Sequence, residues 1–349
     1  MEMHAPAPAE DVPSVSIVIA TYNRAEMLRK ALFSLDALDY PRNSYDVIIA
    51  DDGSEDATRE IVEQTKQEIS YDLAYHRQEN RKAGAARNLG IRQSRGEIIV
   101  FVDDDMIMPR EWLRTLVRPF REDPGVGAAG GPGYYTPDEV SLLSRGISYA
   151  LTSFLGTAGV HGTTKVRWAR FYPRSGNMAA RRDVLKEVGM FNEKIFPAED
   201  IDLVFRIRKA GYKLVFVDAP VQHFPRTSVK GFFKQVVSWG YMRMELFRRY
   251  REFREYVYAV PALSIVLFLA LLLLSAFSPE AGRILLFLVG VYALLLLANG
   301  VMSTVKIRNL KTLVLVPFLI FLQNAGYGLG FLASIFRIRI GFIRNYASR

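Results

Sequence analysis

The hydrophobic pattern changes character near residue 228. Before it, short apolar runs alternate with segments of helical periodicity. Val15–Ala20 (VSIVIA), Asp46–Ala50 (DVIIA) and Ile98–Val102 (IIVFV) are rich in β-branched residues and predict strands, and Leu73–His76 (LAYH) is a further short one. Between the first two, Met27, Leu28, Ala31, Leu32 and Leu35 share one face of a helix. A second helix is predicted with Asp56 as its N-cap, and a third over 83–94. Lys213–Asp218 (KLVFVD) is a later strand, preceded by a helix over IDLVFRIRKAG. Strand and helix in turn imply an α/β fold with a mostly parallel, Rossmann-like sheet. Polar clusters follow the strands directly, at Thr21–Arg24, Asp51–Ser54 and Asp103–Asp105. Three such clusters at the carboxyl edge of one sheet describe a ligand site.

Beyond residue 228 the pattern lengthens. Val229–Tyr250 mixes aromatic and basic residues at helical spacing, which suits an amphipathic helix at a membrane interface. Three uncharged runs follow: Val257–Phe277 of 21 residues, Ile284–Val305 of 22 and Thr312–Phe336 of 25. Each reaches the roughly 20 residues needed to cross about 30 Å of hydrocarbon. The third has a polar, glycine-rich middle, QNAGYGLG, so a re-entrant or interfacial hairpin stands beside a third spanning helix. The expected division is a flexible tail over 1–13, a globular domain over 14–228, interface helices over 229–256 and a transmembrane region over 257–349. The opening MEMHAPAPAEDVPS lacks the basic and apolar stretches of a signal peptide.

Charge sharpens this picture. Residues 1–225 hold 29 Lys and Arg against 32 Asp and Glu, residues 226–256 hold 8 against 3, and residues 257–349 hold 8 against 1. The positive excess therefore belongs to the membrane-proximal part, where it suits anionic lipid head groups or a lipid phosphate. The collar Arg243, Arg248, Arg249, Arg251 and Arg254 is expected to seat the globular domain on anionic lipid. No basic stripe marks that domain, which argues against a nucleic-acid partner. FRRYREFREY before the first run is basic, SPEAGR after it is nearly neutral, and KIRNLK after the second is basic again. This alternation places the globular domain on the cytoplasmic side of a multi-pass protein of the cell membrane. The basic RIRIGFIRNYASR beyond the third run fits that scheme poorly. With no cysteine there are no disulfides and no thiolate metal sites.

Three aspartates at the end of a buried strand repel one another unless something positive neutralises them, and a divalent cation is the usual partner. A second motif is a decoy. Gly125–Gly130 (GVGAAG) matches the dinucleotide fingerprint, yet Pro124 precedes it and Gly131-Pro132-Gly133 follows, so no helix opens there. It reads instead as a small-residue strand.

Seven motifs in order resemble the family 2 inverting glycosyltransferases of the GT-A fold, from Val15 to about Arg226. They are IATYNR, ADDGSEDAT, NRKAGAARNLGI, VFVDDDMIMP, SGNMAARRD, PAEDIDLVFRIRKAGY and VQHFPRTS. With apolar runs behind them, they are similar to enzymes of the succinoglycan type that extend lipid-linked saccharides. The resemblance makes 14–228 a GT-A domain and implies roles for individual residues. Thr21 and Tyr22 line the nucleobase pocket with Arg24 on the donor side, and Asp51, with Asp52 beside it, accepts a hydrogen bond from the base. Lys82 and Arg87 lie near the diphosphate. Asp103 and Asp105 form a D-x-D that holds Mg²⁺ or Mn²⁺, with Asp104 between them either at the donor or purely structural. Gly176 and Asn177 touch the donor sugar. Asp200 is the general base, with Glu199 beside it; a helix cap is the alternative. His223, with Arg226, is either a metal or phosphate ligand or an ordinary histidine. Gln235–Trp239 is similar to the Q-x-x-R-W of processive synthases, but Ser238 stands where the arginine belongs.

The implied activity is metal-dependent transfer of a sugar, with inversion, from a UDP- or GDP-sugar to a hydroxyl of a lipid-linked or polysaccharide acceptor. The alternatives are a polyprenyl-phosphate hexose synthase, a processive polysaccharide synthase, and an inactive membrane scaffold or nucleotide-sensing module.

Overall fold

The computed structural model describes residues 12–134, 140–157, 171–224 and 228–343. Its main sheet has seven strands: β1 (Val15–Thr21), β2 (Tyr45–Asp51), β3 (Asp72–Arg77), β4 (Ile98–Asp103), β5 (Val126–Gly130), β6 (Asn177–Arg181) and β7 (Lys213–Phe216). The helices are α1 (Ala25–Asp36), α2 (Thr58–Thr65), α3 (Lys82–Gln93), α4 (Trp112–Glu122), α5 (Leu142–Thr152), α6 (Phe154–Thr157), α7 (Arg182–Glu187), α8 (Glu199–Lys209), α9 (Val229–Arg249), α10 (Val260–Leu274), α11 (Pro279–Ile307) and α12 (Thr312–Ile335). The chain divides into two compact units, one of residues 1–131, 173–191 and 206–221, the other of the remainder.

In the first unit the strand order is β3-β2-β1-β4-β6-β5-β7. β3, β2, β1 and β4 run parallel, and β6 is antiparallel to both β4 and β5. The near-continuous apolar sequence of β1, β2 and β4 follows from burial on both faces. Ile17, Ile19, Val47, Ile49, Val100 and Val102 share a core with Leu28, Leu32 and Leu35 of α1. Fully burying one such side chain stabilises by about 1.5–3 kcal/mol. The register brings the strand ends level: Thr21 lies opposite Asp51, Ala20 opposite Asp103, and Arg77 opposite Asp51. The three polar clusters therefore meet at one sheet edge. GVGAAG is strand β5, as its flanks predict; a Cβ on Gly127 would lie 2.5 Å from Tyr212 Cβ, so only glycine lets the strand approach that ring.

One boundary differs from expectation. α2 begins at Thr58 with Ala57 as N-cap. Asp56 still accepts from Thr58 N–H at 3.1 Å, but its other oxygen accepts from Ala25 N–H, 3.1 Å away at the start of α1. One carboxylate serves two helix beginnings, which chain-local reading cannot show.

The second unit is helical. α10 and α11 expose apolar side chains along nearly their whole length; α11, α12, and α10 counted with the helical turn before it from Tyr256, are each long and apolar enough to cross a membrane. α12 differs in that 39% of its apolar stretch is buried against protein, compared with 6% in the other two. It is one continuous helix, and its glycine-rich middle is a packing seam rather than a hairpin turn. A Cβ on Gly330 would lie 2.0 Å from Val237 O, and one on Gly240 2.0 Å from Tyr327 O, so the backbones of α9 and α12 touch. Gly326 faces Phe233 and Val236 on the same seam.

The expected lipid collar is corrected at two positions. Arg243 is buried, its guanidinium 3.9 Å from the centre of the Tyr258 ring. Arg248 donates to Ser334 O at 2.6 Å and Ile335 O at 3.0 Å, closing the last turn of α12. Arg249 and Arg254 stay exposed, the first 3.4 Å from Asp202 and the second donating to Phe247 O at 2.9 Å. Charges on an amphipathic pattern face water or lipid only where no helix terminus or ring claims them first.

Candidate active site

The sheet edge gathers three carboxylates around two guanidiniums. Thr21 donates to Asp104 Oδ2 at 2.7 Å, and Arg24 bridges Asp104 Oδ1 at 3.0 Å and Asp105 Oδ2 at 2.6 Å. Arg87, buried in α3 with Phe191 beneath it, donates to Asp103 Oδ1 at 2.8 Å. Burial pushes the Asp104 carboxyl up to about 6 against the pull of Arg24. Burial also works against the Arg24 charge, but Asp104 and Asp105 outweigh it and hold the guanidinium firmly protonated. The repulsion foreseen among the three aspartates is thus relieved in large part by arginine. Asp104, the most enclosed of the three, has its oxygens tied to Thr21 and Arg24.

Asp51 and Asp52 are buried one turn away on the same edge. Asp51 accepts from Ser54 N–H at 2.9 Å and from the Tyr75 hydroxyl. Asp52 accepts from Gln78 Nε2, Arg81 N–H and Lys82 N–H, each at 2.8 Å. Asp52 thereby caps α3 from the bend that follows β2, satisfying donors that a helix start leaves open. Tyr22 is 45% exposed at the same edge, and Lys82 is exposed with its ammonium 3.1 Å from Asn80 Oδ1. Asn23 and Lys82 hold left-handed backbone, φ 54° and 75°, an arrangement non-glycine residues adopt mostly where surroundings enforce it.

Gly176 approaches so closely that a Cβ would lie 2.7 Å from Asp103 Oδ2. Asn177 turns inward: its amide accepts from Trp112 Nε1 and donates to Ala219 O, both at 2.8 Å. Its side chain therefore pins β6 to the core beneath the edge.

In the second unit, α8 opens with Glu199, Asp200 and Asp202 in its first turn, where carboxylates gain from the helix dipole. Glu199 is buried, whereas Asp200 is half-exposed and accepts from Ile201 N–H at 2.8 Å. Ala198, just before them, has φ 91°. Asp202 was not foreseen. It is fully buried and accepts from the Tyr250 hydroxyl at 2.7 Å, with Arg249 at 3.4 Å. The available signal was spacing, since Asp202 and Phe205 share one helical face and Phe205 packs edge-on against both Tyr172 and Tyr250. His223 lies half-buried at the end of the extended segment Val221–His223. Arg226 falls outside the described residues. Among the described residues no three His, Asp or Glu side chains gather as a metal site.

Residues 16–189 match the family described as Glycosyl transferase family 2. A curated relative, glycosyltransferase AglE of Haloferax volcanii, is 32% identical over 208 residues, 59% of this chain and 64% of that protein. The probable glycosyltransferase YdaM of Bacillus subtilis is 26% identical over 66% of this chain and 55% of its own length. The match thus spans less than two thirds of either relative. Among solved structures, the mannosyltransferase PcManGT of Pyrobaculum calidifontis, in complex with GDP-Man and Mn²⁺, superposes with a TM-score of 0.67 over 96% of this chain and 92% of that one. At 19% identity the likeness is one of fold, a Rossmann-like GT-A sheet followed by apolar helices.

Proposed function

The chain belongs to glycosyl transferase family 2, and we propose that it moves a sugar from a nucleotide-diphosphate donor to a hydroxyl of a lipid-linked saccharide, with inversion. One observation carries the reading: Asp103, Asp104 and Asp105 end a central parallel strand, held by Arg24 and Arg87, with the backbone at Gly176 against Asp103. An acidic edge of this kind binds an anionic diphosphate only through cations. Asp103 and Asp105 offer hard oxygen donors and fit Mg²⁺ or Mn²⁺, which typically takes one or two carboxylates and completes its shell with substrate phosphates and water. When bound, the metal neutralises charge developing on the leaving diphosphate.

The chain's own residues divide the remaining work. Tyr22 presents its ring to the base, and Asp51 and Asp52 fix the turn and helix start that surround it. Asp200 takes the proton from the acceptor hydroxyl as that oxygen attacks the anomeric carbon. The bond from that carbon to the diphosphate breaks on the opposite side, and its electrons leave with the nucleoside diphosphate. One direct displacement turns an α-linked donor into a β-linked product. α10 and α11 hold the chain in the cell membrane with its catalytic domain in the cytoplasm, and anionic lipid surrounds them.

The experiment is release of free nucleoside diphosphate across a panel of UDP- and GDP-sugars, with membrane lipid extract as acceptor. Asp200→Asn is expected to bind donor near normally and to transfer at least about a hundredfold more slowly, since general-base catalysis contributes roughly 10²–10⁴-fold. An ionised lipid phosphate needs no base. Transfer at the wild-type rate would therefore remove Asp200 from the mechanism and favour a polyprenyl-phosphate hexose synthase.

A further inference from the structure

α10 and α11 are joined by the short link Ser275–Ser278. When the pair crosses a membrane as a hairpin, the start of α10 and the end of α11 lie on one face. α12 begins against the end of α11, touches Tyr292 halfway along α11 through Asn324 at 3.2 Å, and rests its last third on the start of α10. At its beginning, Ser303 donates to Thr312 O at 3.3 Å, and a Cβ on Gly300 would lie 2.6 Å from Leu313 O. At its far end, a Cβ on Gly328 would lie 2.7 Å from Pro261 O, and Phe331 packs with Ala262.

The companion helix gives the same answer. α9 runs beside α12 from Phe233 at Gly326 to Arg248 on the carbonyls of Ser334 and Ile335. It carries six charged residues, Lys230, Lys234, Arg243, Glu245, Arg248 and Arg249. Were α12 to cross the hydrocarbon, α9 would be drawn in alongside it, and charged side chains there are strongly disfavoured. The large apolar residues that α12 exposes are few, Val314, Phe318, Phe321, Leu329 and Ile335, with Phe336 just beyond its end.

We propose that α12 does not span: it lies within a single leaflet, its apolar stripe on lipid tails and its two basic flanks among anionic head groups on one face. Lys306, Arg308 and Lys311 before it and Arg337 and Arg339 after it are all exposed, and no acid follows Glu280 in the sequence. Charge complementarity thus fixes the partner as an anionic lipid surface. With two crossings in place of three, every basic flank shares a face and only the nearly neutral SPEAGR lies opposite, as the positive-inside rule requires. The far flank that fitted the three-span scheme poorly then falls into place.

The cysteine-free sequence makes the test direct. Glu280→Cys, Arg308→Cys and Arg339→Cys are each labelled with a membrane-impermeant maleimide in sealed vesicles of known orientation, with detergent-opened vesicles as the control. Positions 308 and 339 are expected to react from one side and position 280 from the other. Reaction of position 339 from the side of position 280, or from neither side, overturns the proposal. Nitroxide labels at Val314→Cys, Phe321→Cys and Leu329→Cys, in vesicles of phosphatidylcholine and phosphatidylglycerol, are expected to report depths within one leaflet. A graded passage through the bilayer midplane overturns it equally.

Discussion

At the edge of the parallel sheet, close contact is made by full charges; along α9 and α12 it is made by the absence of side chains. The first arrangement balances carboxylates with guanidiniums at the end of a strand, a pairing that another cation can replace. The second excludes everything but backbone, as a lipid setting favours, where apolar side chains gain little by touching one another. Arginine shows the contrast. Arg24 and Arg87 meet carboxylates, whereas Arg243 meets a ring and Arg248 divides between Glu245 and two main-chain carbonyls. Damage to the first region should therefore appear in rate, and damage to the second in folding.

The largest effect expected is on turnover. Asp105→Asn, or removal of divalent metal by chelator, should lower nucleoside diphosphate release at least about a hundredfold while leaving the melting temperature within a degree or two, because a metal ion supplies several kcal/mol of charge stabilisation. Full activity in chelator would show that Arg24 and Arg87 suffice.

Gly330→Leu comes next and should act on stability. The added side chain meets Val237 O, and overpacking of this kind costs typically about 1–3 kcal/mol, more where backbone must separate. Thermal unfolding in detergent should shift down, with donor affinity in the surviving folded fraction unchanged. Loss of donor affinity at full stability would break the comparison.

Arg248→Met should be milder. It keeps the aliphatic stem but strands the carbonyls of Ser334 and Ile335 and removes a partner of the half-exposed Glu245, for about 1–3 kcal/mol if water does not replace the guanidinium. Arg249→Gln should be smallest, within about 1 kcal/mol, since its 3.4 Å contact to Asp202 is half-exposed. A thermal series ordered Gly330→Leu, Arg248→Met, Arg249→Gln checks all three.

What was legible in the sequence was whatever repeats along the chain. Strands β1 to β4 announced themselves by apolar runs, and the polar clusters behind them by position. The fate of each side chain was not legible, because partners come from afar. Asp52 is 29 residues from Arg81, and Arg24 is 80 from Asp104. Asp202 looked like one acid among three until Tyr250, 48 residues on, closed over it. Arg243 and Arg248 kept the helical spacing of the collar but met a ring and a helix end, which no periodicity records. In QNAGYGLG, glycine at positions four apart marks a helix seam as readily as a turn, and only a facing glycine at 240 decides between them.

The Asp52 carboxylate has a consequence for motion. It accepts from the amides of Arg81 and Lys82, which a helix start would otherwise leave to water. Those two amides should exchange with deuterium slowly even without nucleotide, and in step with one another, since a single side chain holds both. A loop already frozen in place loses little freedom when a ligand arrives, so the entropy of ordering it is met during folding and not on each turnover.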